Sequence, residues 1–127
     1  MSITLEEELN SAFISPEREF MGEKLAPYTE GSRLLLLQVR DDEDSSSYFV
    51  SAFLYMHIQI AKNKKDAIKL AWKKDLFREK VFDWASKKTS ADMAIGTTLV
   101  SAILEEAMNG KVDVVSGVGQ QEPMGNE

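Results

Sequence analysis

Cysteine is absent from this chain of 127 residues, and histidine occurs once, at position 57. The first absence excludes a disulfide scaffold, thiolate zinc sites, iron–sulfur clusters and a cysteine nucleophile. The second excludes multi-histidine metal sites and leaves any Ser-His-Asp triad dependent on one imidazole. Neither a Gly-x-Ser-x-Gly elbow nor a phosphate-cradling glycine loop accompanies that histidine. It sits among Tyr55, Met56, Ile58 and Ile60, which reads as a core histidine satisfied by a hydrogen bond. Long apolar runs are missing too. The longest, Tyr48 to Ala61, is broken by Ser51, His57 and Gln59 and is shorter than the roughly 20 residues a membrane-spanning helix needs. Near the N-terminus, Glu6, Glu7 and Glu8 stand where a secretory signal would be basic and then apolar, so a cytoplasmic protein is expected. An enzyme is therefore the least expected class, and no catalytic, metal-ligating or cofactor-binding residue is assigned.

What is present is helical punctuation. Thr4 before an acidic turn, and Ser15-Pro16-Glu17 with proline at the first helical position, are start signals; the second opens a short helix expected to reach about Leu25. Four adjacent leucines, Leu34 to Leu37, are apolar on every side, so period alone does not separate helix from strand. Leucine's helix propensity favours a helix there. The acidic loop Asp41-Asp42-Glu43-Asp44 lacks the alternating oxygen spacing and glycine of an EF-hand, and leads into Ser45 and Ser46, good caps for a helix to Asn63. In that helix Phe49, Phe53, Met56 and Ile60 fall at helical spacing, with Val50, Leu54, Tyr55 and Ile58 widening the stripe. A helix apolar over most of its circumference belongs at the centre of a bundle.

Beyond it, Lys65 to Lys74 and Asp75 to Lys88 are either two helices or one bent one. Ser90 caps a further helix that carries Ile95, Leu99 and Ile103 on one face and ends at Asn109-Gly110. Gly96 inside that helix implies close approach of another element. The expected fold is an all-α single-domain bundle of about five to six helices over residues 1–110, followed by a flexible C-terminal tail over residues 111–127.

Charge is segregated. Residues 62–88 carry ten bases against four acids inside a chain of net charge -6, whereas residues 1–44 carry 11 acids against four bases. Such a segment reads as a solvated face complementing the chain's own acids, as a docking surface for an acidic or helical protein, or as a weak, salt-sensitive nucleic-acid contact. Lysine outnumbers arginine and no base-stacking motif accompanies it, so nucleic acid ranks last.

The basic and aromatic stretch Ala71-Trp72-Lys73-Lys74-Asp75-Leu76-Phe77-Arg78, the later Phe82-Asp83-Trp84, the capped helix from Thr89-Ser90-Ala91-Asp92 to Leu104-Glu105-Glu106-Ala107, and a polar Gly/Pro tail form one layout. Over residues 30–127 this layout resembles the tail assembly chaperones of long-tailed phages and prophages. In that family an extended form often arises by a -1 ribosomal frameshift; Met124-Gly125-Asn126 is compatible with a slippery G-GGA-AAC heptamer. The resemblance implies a non-enzymatic protein without cofactors that binds the tape measure protein, helps recruit the major tail protein, and leaves the finished particle. Lys64, Lys65, Lys69, Trp72, Lys73 and Lys74 are then the expected partner contacts. The alternatives are a small structural virion protein, such as a head-tail connector or tail completion protein, and a helical nucleic-acid-binding regulator.

Overall fold

Thr29 begins the helical part of the chain by closing a reciprocal cap: its hydroxyl accepts from the Ser32 N–H at 3.1 Å, and its own N–H donates to Ser32 Oγ at 2.9 Å. The computed structural model describes residues 18–118, with side chains through Asn109. Within them two short strands, β1 (Arg18–Phe20) and β2 (Glu23–Leu25), precede five helices. These are α1 (Glu30–Val39), α2 (Ser46–Lys62), α3 (Lys64–Ala71), α4 (Lys74–Ala85) and α5 (Ser90–Val118). The architecture is a helical bundle with one small hairpin.

Helix α2 is the axis on which the other elements pack. Every residue from Val50 to Ile58 is buried, including Phe53, Leu54 and Met56. Ser45 caps α2 by accepting from the Tyr48 N–H, and Asn63 both ends α2 and caps α3 through the Asp66 N–H. The four leucines do form a helix. A ten-residue helix lying on the bundle hides only one side of itself, so Leu36 and Val39 are buried while Leu34 and Leu37 face outward. The basic stretch divides into two helices at Trp72-Lys73, and α4 begins without a side-chain cap, with Asp75 in its first turn.

Two expectations are corrected. The segment expected to be helical as far as Leu25 is, over residues 18–25, an antiparallel hairpin pairing Arg18 with Leu25 and Phe20 with Glu23. Met21 and Gly22 both take positive φ, 54° and 84°, the conformation of a two-residue hairpin turn whose twist matches its strands. Each strand turns its third residue inward, Phe20 and Leu25, and the Ala26 N–H donates to the His57 carbonyl at 3.0 Å. The start signals at Thr4 and Ser15 lie outside the described residues. Second, Asn109-Gly110 does not end α5, which continues to Val118. Glycine permits a helix to stop and does not compel it. Residues 119–127, with the expected frameshift position, lie outside the described residues. The cap of α5 is Thr89 in place of Ser90: Thr89 Oγ1 accepts from the Asp92 N–H while Asp92 accepts from the Thr89 N–H.

Gly96 has the packing reason its position implied. A Cβ there would stand 2.7 Å from Leu54 Cδ1 and 3.2 Å from Phe20 Cε1, so α5 lies directly against α2 and the hairpin. Among the described residues no helix is long and apolar enough to cross a membrane.

Candidate partner-binding surface

Short α3 buries Ala67 and Ala71 and so turns its polar side outward. A helix places residues four apart on one face, which aligns Lys65 with Lys69 and brings Trp72 beside them. Lys64 stands at the first residue of α3, and Lys73 at the corner leading to α4. Trp72 is 67% exposed. A large aromatic side chain left this open gives up a substantial burial free energy and is the kind of anchor that protein interfaces cover. Around it Lys64, Lys65, Lys69 and Lys73 are exposed, and among the described residues they form no ion pair.

Lys74 behaves differently from the other five expected contacts. It pairs with Asp41 and is partly covered, so its charge is neutralised within the fold. Arg78 has the same function on a larger scale. Its guanidinium meets Asp44 through two hydrogen bonds, at 2.6 and 3.0 Å, donates to the Val39 carbonyl at 3.0 Å, and lies 4.5 Å from the centre of the Tyr48 ring. The hydrogen bonds from Arg78 hold the Asp44 carboxyl below its ordinary pKa, outweighing the upward push of burial. The acidic loop is thus tied to α4 by the chain's own cations. Lys62 likewise pairs with Glu23 at 3.2 Å, and Trp84 donates to the same carboxylate at 3.4 Å. Burial raises the Glu23 pKa, but these donors prevail and leave it lowered.

The basic segment therefore divides into two groups. Lys62, Lys74 and Arg78 complement the acids of residues 23–44, as a solvated face would; the α3 lysines and Trp72 do not. A second feature was not anticipated from sequence: a groove of about 410 Å³ between α1 and the start of α2, lined by Tyr28, Leu36, Leu37, Phe49 and Ala52 among others. The four adjacent leucines carried its signal, because a surface helix cannot bury all of them.

His57 is 1% exposed and lies within the helix framework. Its Nδ1 is 2.8 Å from the Phe53 carbonyl, which only accepts, so Nδ1 carries the proton of the neutral ring. Its Nε2 then accepts from Ser32 Oγ–H at 2.9 Å, joining α2 to the cap of α1. Burial lowers the His57 pKa and the bond to Phe53 only partly offsets this, so the ring is a neutral structural group.

The chain matches no family model, no curated protein and no solved structure.

Proposed function

We propose that this protein is a non-enzymatic tail assembly chaperone of a phage or prophage, acting in the bacterial host cytoplasm. It binds the tape measure protein, limits aggregation of that long helical chain and promotes assembly of the major tail protein around it. The observation that supports this reading best is the α3 surface, where Trp72 is 67% exposed among lysines that form no ion pair with a described residue. An uncovered aromatic anchor inside a ring of like charge fits an acidic protein partner, because the charges steer the encounter while the ring supplies the buried area.

The test is co-expression of the tagged chain with the proteins encoded beside its gene, followed by affinity capture. The expected result is recovery of a very long helical protein, with this chain absent from finished particles. Charge reversal by Lys65→Glu with Lys69→Glu is expected to lower that recovery by about tenfold, roughly 1.4 kcal/mol, without shifting the melting temperature of a domain in which both residues are exposed. Undiminished recovery overturns the assignment to α3. Retention of the chain in finished particles, with connector or completion proteins co-purifying, favours a structural virion protein instead.

A further inference from the structure

Helices α3 and α4 pack against each other and both against α1 and α2, so their outward faces adjoin. Their inner faces are set by Ala67 and Ala71 on α3 and by Phe77 and Val81 on α4. On α3 this turns Lys65, Lys69 and Trp72 outward. On α4 it turns outward Asp75, Glu79 and Phe82, which stand at i, i+4 and i+7. Phe82 at 71% and Trp72 at 67% are the most exposed large hydrophobic side chains among the described residues.

The two faces are opposite in charge and alike in spacing. Lys65 and Lys69 lie about 6 Å apart along α3, and Asp75 and Glu79 lie about 6 Å apart along α4. Among the described residues none of these four forms an ion pair. Neighbouring charges leave the contrast intact. Arg78 is committed to Asp41 and Asp44. Asp66 and Lys80 each follow a face residue directly and so point about 100° away from it, and Asp83 and Lys87, four residues apart toward the end of α4, offset each other. Lys64 and Lys73 add to the positive side. A second copy of this chain therefore offers each face its complement. We infer that two copies form a closed dimer in which α3 of each packs against α4 of the other, Lys65 and Lys69 meeting Asp75 and Glu79 while the rings of Trp72 and Phe82 are covered.

The contact is small. A large aromatic side chain buries about 150–250 Å², so four rings exposed by two-thirds supply on the order of 400–700 Å², below a standard interface. The net charge of -6 on each copy opposes association as well. The dimer is accordingly weak and reversible. Where α3 binds a protein partner, dimer and complex compete for the same lysines, and the dimer keeps that surface covered until a partner displaces it. This consequence rests on the chaperone reading; the dimer does not.

The test is sedimentation velocity of the full chain alone, from about 1 to 500 µM, where a shift from 14.3 kDa to twice that mass is expected. No larger species is expected, because a reciprocal contact closes at two copies. Lys65→Glu with Lys69→Glu, and separately Asp75→Lys with Glu79→Lys, should each weaken association by at least about tenfold. Circular dichroism and melting should stay unchanged, since all four side chains are exposed. Mixing the two variants should restore association, because both contacts of the mixed dimer then join opposite charges. A monomer at every concentration, association untouched by either reversal, or variants that stay apart on mixing overturns the inference. Mass growing beyond two copies overturns the closed arrangement in favour of a head-to-tail one. Asp75→Lys with Glu79→Lys keeps the α3 lysines in place, so capture of a tape measure protein by that variant separates failure of the dimer from failure of the chaperone reading.

Discussion

His57 illustrates how a single residue can be tempting in sequence and yet structural in the fold. A lone imidazole in a chain without a second histidine invites a catalytic reading, but the residue is buried and both ring nitrogens are occupied, by the Phe53 carbonyl and Ser32 Oγ. Its chemistry appears instead in stability. Because burial lowers its pKa below 6.5 in the folded state, the folded form binds a proton less readily than the unfolded chain. Stability from this group is complete above that ordinary value and is lost as pH falls through the lower, folded one. Urea denaturation between about pH 7.5 and 5 should show a falling midpoint, and His57→Gln should flatten that dependence while costing about 1–3 kcal/mol near neutrality. Equal pH slopes in the two proteins would trace the loss to another group. The lowered carboxyls do not confuse the window, since their share disappears only below their ordinary values, 4.5 for Glu23 and 3.8 for Asp44.

At the scale of elements, local signals foretold most helices and missed one hairpin. Thr29, Ser45, Asn63 and Thr89 each cap a helix through a side-chain oxygen, a requirement that arises from the unpaired N–H groups of any first turn. Residues 18–25 lacked such a signal for a hairpin, because the favoured two-residue turn is Asn-Gly or Asp-Gly and this chain has Met21-Gly22. Met21 holds φ 54° without the side-chain chemistry that eases that region, and it is 50% exposed, so little packing depends on it. Met21→Asn is therefore expected to stabilise the protein by about 0.5–1 kcal/mol, read as a rise in melting temperature. A fall would show that the Met21 side chain contributes packing that outweighs its backbone strain.

At the scale of the whole molecule, the hairpin, α2 and α5 converge on Gly96. Ala at this position would gain about 1 kcal/mol of helix propensity but drive its methyl to 2.7 Å from Cδ1 of Leu54, which is fully buried and so must shift within a packed core. Gly96→Ala is expected to destabilise the fold by a net 1–2 kcal/mol or so in urea denaturation, and a stabilised variant would mean that Leu54 can move aside. This contact also marks the boundary of what the sequence by itself determined. Helical class, the central place of α2, the tight approach at Gly96 and the absence of cysteine chemistry follow from composition, period and caps, which act within a few residues. The hairpin's burial of Phe20 against Trp84 at 5.9 Å, and the pairing of Arg78 with Asp44 across 34 residues, were settled by tertiary structure. So was the separation of the basic segment into paired and unpaired lysines. Charge along a chain says how much is present, and only folding brings particular opposite charges within reach. The same holds for the four leucines: their hydrophobicity was plain, but which of them would be left facing outward to border a groove depended on how α1 lies against α2.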